Sequence, residues 1–371
     1  AFLSVGFCKL LEQEKMHLDV VSSGELYTAM KAGFPPERIL MHGNAKSMDE
    51  LNMALGYGVG RIVVDNHEEI ERLALLAGER DRKQDLMLRV APGVRPDTHR
   101  YVQTGQLDSK FGFNIEGGAG EEAVKRIMQV PGLNLVGLHC HIGSQILDHE
   151  PFIHTVRIML EFYARMRLEH SAPLDEFNIG GGLGIKYKDA DKPLSIAQHV
   201  TDVEEAVQAE CNRLGIPQPV LCDEPGRSII ANAGVTLYTV ESVKEIQGIR
   251  NYASVDGGMA DNPRYALYES YHHAALAERM NHPADSSWCI SGKCCETGDM
   301  LARDMKLPSP VPGELLAMFS TGAYTFSMAG NYNRVPRPAV ILASERGHAL
   351  LVKRETPEDV CSLDVVPDWL E

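Results

Sequence analysis

Three short stretches of this 371-residue chain carry side chains that could do chemistry together. "NIGGGLG" sets Gly180, Gly181 and Gly182 directly after an apolar run, where a backbone without side chains can bring N–H groups to an anion. "HCHIGSQ" adds His141 and Ser144, and "DEPGRS" adds Glu224, Gly226 and Arg227. Taken singly, each has an ordinary explanation, because glycine turns are common and a lone His or Arg is usually a satisfied core or surface group. Together they form a set with one purpose. Glycine N–H groups, a hydroxyl and an arginine can hold a phosphate, while a carboxylate keeps a ring nitrogen protonated so that the ring can accept electrons from a carbanion. Those are the needs of pyridoxal phosphate, with Glu224 as the carboxylate and His141 as the flat face against the ring.

The elements that must position these groups alternate in type. "LDVVS" leads into "SGELYTAMKAG", "RILMHGN" into "SMDELNMALGYG", and "RIVVDN" into "HEEIERLALLAGER". "LMLRVAPG" runs into a long polar loop before "EEAVKRIMQV", "LNLVGLHCHIGS" precedes a helix over 151–168, "EFNIGGGLG" precedes one over 195–214, and "PVLCDEPGRS" closes the series. Near-continuous apolar β-runs separated by amphipathic helices predict parallel βαβ units. A leading helix and seven strands suit a (β/α)8 barrel better than a doubly wound open sheet, because polar clusters end nearly every strand, as on a barrel's catalytic face. The barrel is expected over 1–233. From 234 to 371 the texture becomes short β-runs between Gly, Pro and Asp turns, which predicts a mostly antiparallel β domain with little helix apart from 268–280.

Composition excludes several classes. A net charge of −15 with interspersed signs leaves no basic footprint for nucleic acid or an anionic membrane. No apolar run approaches the roughly 20 residues that span a bilayer, and no signal peptide opens the sequence, so a soluble cytoplasmic protein is expected. The eight cysteines show no C-x-x-C pair or His–Cys spacing, so reduced thiols are expected and no metal site.

The ordered motifs "DVVSSGELYTAMKAGFP", "HGNAKS", "SKFGF", "GLHCHIGSQI", "NIGGGLGI", "EPGRS", "VDGGMADNPRYALY", "CETGD" and "GAYTFSMAGNYN" span essentially the whole chain. In them the sequence resembles the group III, alanine-racemase-type pyridoxal phosphate decarboxylases, most closely the diaminopimelate decarboxylase branch. The resemblance implies decarboxylation of meso-2,6-diaminopimelate to L-lysine and carbon dioxide, the last step of lysine biosynthesis. It implies that His141 stacks on the cofactor ring and Glu224 pairs with its pyridine nitrogen. Ser144, Gly181, Gly182, Gly226, Arg227 and Tyr324 would hold the phosphate. Arg227, Arg264, Tyr268, Tyr324 and Glu296 would contact the amino-acid substrate, with Glu296 at the distal ammonium and Cys295 as proton donor to the decarboxylated carbon. It further implies a homodimer in which the "CETGD" loop serves the partner subunit's site. Cys295 could instead be a small buried apolar residue, Arg264 a surface arginine and Tyr324 a core tyrosine. Tyr265, Lys293, Cys294 and Thr297 depart from the family's usual residues without removing a functional group.

The family's Schiff-base lysine ends the first barrel strand and falls just before Ala1, ahead of the helix that opens with "AFLSVGFCKLLEQEK". The first strand and that lysine are therefore expected on a segment preceding Ala1. Lys9, Lys46 and Lys110 are poorly placed to replace it. The alternatives are a sibling decarboxylase of ornithine, arginine, lysine or carboxynorspermidine, and a catalytically silent regulatory homologue.

Overall fold

The apolar β-runs become parallel strands with both faces buried. The protein is described from a computed structural model covering residues 1–78, 80, 83–94 and 108–370, so most of the expected polar loop, 95–107, lies outside the described residues. The chain divides into one unit of Leu3–Ile185 with Lys192–Gly226 and another of Ala1–Phe2, Lys186–Asp191 and Arg227–Glu371.

In the first unit α1 (Val5–Gln13) leads to β1 (Leu18–Val20), α2 (Ser23–Ala32), β2 (Ile39–Met41), α3 (Met48–Tyr57), β3 (Arg61–Val64) and α4 (His67–Gly78). β4 (Gln84–Ala91), β5 (Phe113–Asn114), α5 (Ala119–Met128), β6 (Leu133–His139), α6 (Glu150–His170), β7 (Glu176–Asn178), α7 (Ile196–Leu214) and β8 (Val220–Cys222) follow. Seven strands pair in the order β1-β2-β3-β4-β6-β7-β8, all parallel, and the short β5 hangs off β4. This curled sheet and its leading helix agree with the expected barrel order.

Alternation along the strands explains why neither face is polar. Ile39, Met41, Ile62, Val64, Leu86 and Leu88 join the large core shared with the helices, while their neighbours Leu40, Val63 and Met87 form a second buried cluster on the opposite face. Helix ends follow local chemistry. Ser22, Ser47 and Ser195 accept the backbone N–H groups of Glu25, Glu50 and Gln198, and Glu50 completes a capping box with Ser47. Lys46 is locked inside this unit, its Nζ donating to Gly43 O and Val63 O at 2.7 Å each and to Glu69 Oε1 at 2.5 Å. All three of its protons are committed.

The second unit begins with α8 (Arg227–Ile230) and continues through β9 (Val235–Ile246), β10 (Arg250–Val255), α9 (Arg264–Tyr268), β11 (Ala274–Leu276), β12 (Ser286–Ser291), β13 (Met300–Leu307) and β14 (Leu315–Phe319). Its six-stranded sheet runs β11-β14-β9-β10-β12-β13, antiparallel except for the β10–β12 pair, around a core that includes Val240, Trp288, Ile290 and Leu316. A separate hairpin, β15 (Val340–Ser344) with β16 (Gly347–Val352), precedes α10 (Pro357–Cys361).

Two readings of this region are corrected. The helix expected over 268–280 ends at Tyr268, where Glu269 takes a left-handed φ of 51°, and Ala274–Leu276 instead pairs with β14. β13 was not anticipated because a register shift opposite Trp288–Ile290, with Asp304 at φ 54°, breaks its alternation.

Both side chains of the Lys46–Glu69 pair are 1% exposed, so removing one partner strands a buried charge. Glu69→Ala should lower unfolding stability by about 3 kcal/mol. A urea midpoint equal to that of the wild type would contradict the pair's structural role.

Candidate active site

Parallel strands bring their C-terminal ends to one edge, and register decides which side chains meet there. Arg89 pairs with His139, His139 with Asn178, and Asn178 with Cys222, which forms one tier across β4, β6, β7 and β8. Two residues beyond this tier, Glu224 turns back and its N–H donates to Gly180 O at 2.9 Å. Its carboxylate is the hub of the edge. Asn178 Nδ2 donates to Oε1 at 2.7 Å, His139 Nε2 stands 3.1 Å from Oε2, and His42 Nε2 stands 3.2 Å from Oε1.

This enclosure sets the protonation states. Burial alone would raise the Glu224 carboxyl, but the charge of His42 and the hydrogen bonds of His42 and His139 hold it well below the usual carboxylate range. Burial would lower His42, yet Glu224 and Asp19 lift it to about 10, whereas burial wins at His139 and takes it down to about 4. The hub is thus an ionised Glu224 beside a cationic His42 and a neutral His139. The donor atoms of His42, His139 and Glu224 lie within 4.8 Å of one another.

Gly181 serves two groups. An added Cβ would stand 2.1 Å from Glu224 O, so only glycine lets the two strand ends approach, and its N–H donates to His141 Nδ1 at 3.1 Å. That bond leaves Nδ1 unprotonated, and His141 is pushed down to about 3, first by burial and then by the charge of Arg89. His141 is therefore a neutral ring held at a defined angle. The Ser144 loop is tied to the glycine loop: Ile146 N–H donates to Gly182 O at 3.0 Å, and the Gln145 amide bonds both N–H and C=O of Ile185. His141, Ser144, Gly181, Gly182, Glu224 and Gly226 all follow the ends of β6, β7 and β8, so this unit brings together the residues named from sequence.

The second unit gathers another set. Arg227 is buried and its Nη1 donates to Tyr187 Oη at 2.7 Å, with its guanidinium 4.9 Å from the Tyr324 ring centre. Arg264, also buried, lies 4.5 Å from the Tyr268 ring and 5.8 Å from the Tyr324 ring, and its Nε has no hydrogen-bond partner among the described residues. Tyr324 holds a left-handed φ of 60°, an outlier of the kind that clusters at ligand sites. Two guanidiniums flank one tyrosine, a pairing with the chemistry to receive a phosphate or carboxylate. Cys295 and Glu296 stand exposed in the loop between β12 and β13, so the reading of Cys295 as a buried apolar residue is set aside.

His42, His139, Asn178, Arg89 and Asp65 all lie outside the set of site residues named from sequence. Arg89 Nε is 3.9 Å from Asp65 Oδ1, and its charge helps keep His139 and His141 neutral. Position at a strand end was the available signal for all five. Tyr187 and His272 were also missed. Tyr187 lies in the 186–191 excursion that joins the second unit, and His272 stands edge-on to it at 5.3 Å; nothing local marks either.

The donor set fits pyridoxal phosphate on structural grounds. Glu224 is an ionised acceptor 13% exposed, ready for a protonated ring nitrogen; His141 is a neutral flat face; Ser144 and the glycine loop are the expected phosphate donors.

The His42–Glu224 pair predicts a pH effect. The folded His42 keeps its proton up to about pH 10 and the unfolded one only to the ordinary imidazole value of 6.5. Its stabilisation is therefore complete below about pH 6.5 and is lost as pH rises toward 10. Unfolding midpoints should fall across that window in the wild type and fall less in His42→Asn. Parallel pH profiles would refute the assignment.

Residues 1–231 match the family model "Pyridoxal-dependent decarboxylase, pyridoxal binding domain". The diaminopimelate decarboxylase of Bacillus subtilis (strain 168) is 48% identical over 98% of this chain and 83% of its own, and that of Staphylococcus aureus (strain COL) is 45% identical over 96% and 83%. Among solved structures, the diaminopimelate decarboxylase from M. jannaschii in co-complex with L-lysine superposes with a TM-score of 0.91 at 33% identity, covering 99% of this chain and 83% of that one. Among the described residues no helix is long and apolar enough to cross a membrane.

Proposed function

The chain belongs to the pyridoxal-dependent decarboxylases, and from that premise we propose that it removes the carboxylate at the D-configured centre of meso-2,6-diaminopimelate, giving L-lysine and carbon dioxide. Near-full-length likeness to enzymes of that name carries the reading. Pyridoxal phosphate, when bound, supplies the sink for the electron pair left by the departing carboxylate.

The protein's own groups do the rest. Glu224, kept ionised by His42, His139 and Asn178, would accept a hydrogen bond from the protonated ring nitrogen and so favour the electron-withdrawing form of the ring. His141 would offer it a neutral face. Arg227 and Tyr324 hold anionic oxygens, and Arg264 with Tyr268 receives the carboxylate at the substrate's far end. Glu296 pairs with the distal ammonium, and Cys295 gives the proton that replaces carbon dioxide. Overall the substrate and one proton become lysine and carbon dioxide. The need for a carboxylate receptor and an ammonium receptor together favours diaminopimelate over basic amino acids with one zwitterionic end. We also propose that the protein is a homodimer whose Cys295–Glu296 loop serves the partner subunit's site, and that it works in the cytoplasm, where its eight free thiols are at home.

Carbon dioxide release measured across diaminopimelate, ornithine, arginine, lysine and carboxynorspermidine should be greatest for diaminopimelate; a preference for any other refutes the substrate. Cys295→Ala should lower kcat roughly 100-fold, the scale of a lost general acid. Glu296→Ala should raise KM for diaminopimelate more than it weakens cofactor binding. An active species at monomer mass on gel filtration would refute the shared site.

A further inference from the structure

Outside the sites already described, the second unit contains a buried carboxylate with an unusual task. Asp299 is 2% exposed, and among the described residues no cationic side chain pairs with it. Its charge is met by backbone instead. Oδ1 accepts the N–H of Met259 at 2.6 Å and Oδ2 accepts the N–H of Cys294 at 2.7 Å. These two donors come from different segments. Met259 belongs to the stretch between β10 and α9 that leads into Arg264, the first residue of α9, and Cys294 immediately precedes Cys295 and Glu296.

The surroundings are shaped to this carboxylate. A Cβ on Gly292 would stand 2.3 Å from both oxygens, and one on Gly258 would stand 2.6 Å from both. The segments also meet through Lys293 N–H, which donates to Gly257 O at 2.9 Å. Asp261 anchors the first segment to β9, taking Gly258 N–H at 2.7 Å on one oxygen and the Tyr238 hydroxyl at 2.5 Å on the other. Asp261 fixes one segment to the sheet, while Asp299 joins that segment to the other.

We propose that Asp299 is a positioning residue that fixes both the Arg264 segment of its own subunit's site and the Cys295–Glu296 loop that serves the partner subunit's site, and so helps define substrate affinity at both sites of the dimer. The inference rests on the reading above that Arg264 and Glu296 contact the substrate. Asparagine cannot do the same work, because its amide has one accepting oxygen and presents N–H to the second donor.

The test compares Asp299→Asn and Gly292→Ala, which disturb the carboxylate from opposite sides, with Arg264→Gln and Glu296→Gln in the holoenzyme. Both positioning variants should raise KM for diaminopimelate about tenfold or more, the scale of a lost charge-assisted hydrogen bond, with cofactor absorbance retained. Amide exchange should quicken in both 257–260 and 292–296. A raised KM in the Arg264 and Glu296 variants with unchanged KM and exchange in the positioning variants overturns the inference, as does a fall in kcat that only tracks lost cofactor or folded protein. If the Arg264 and Glu296 variants keep their KM, the substrate reading fails instead. Exchange then decides positioning alone, unchanged rates overturning it. Should Asp299→Asn fail to fold, Gly292→Ala carries the same outcomes.

Discussion

A charged carboxylate held out of water at the end of a β-sheet constrains much of the first unit. An isolated buried carboxylate would simply take a proton. Glu224 stays ionised because Asn178 donates to it, His42 lends it a full charge and His139 stands in hydrogen-bond reach. Each partner arrives from a different strand end, so the carboxylate's charge depends on sheet register. Gly181 belongs to the same constraint: without a side chain it lets the backbone of Glu224 approach, and its N–H orients His141. The ionised carboxylate, the oriented imidazole and the glycine turn are consequences of one packing arrangement.

The second unit solves a related problem with cations. Arg227 and Arg264 are buried beside tyrosine faces, which accept a guanidinium without neutralising it. Asp299 and Asp261 show the complementary device, anions met chiefly by N–H and O–H donors, which gives them directional bonds to loops. Across the molecule, buried charges hold irregular segments in place where apolar packing, being non-directional, could not.

Legibility from sequence varied with the range of the interaction. Glu224, His141 and Arg227 could be named because they sit in short motifs beside recognisable strands. His42, Arg89 and Asn178 could not be given their roles, because each acts through a neighbour that register supplies, 182, 50 and 46 residues away in the pairs His42–Glu224, Arg89–His139 and Asn178–Glu224. β13 escaped notice because a bulge breaks its alternation, and the helix expected beyond Tyr268 failed because Ala274–Leu276 gains a partner strand that outweighs its local helical preference.

Local chemistry therefore determined a great deal by itself. Apolar runs and capping serines specify parallel strands and helices, and the ordered motifs specify the decarboxylase family. Tertiary structure decided which groups carry charge. The same histidine side chain is cationic at His42 and neutral at His139 and His141, since desolvation and neighbouring charge act through distances that only the folded chain defines.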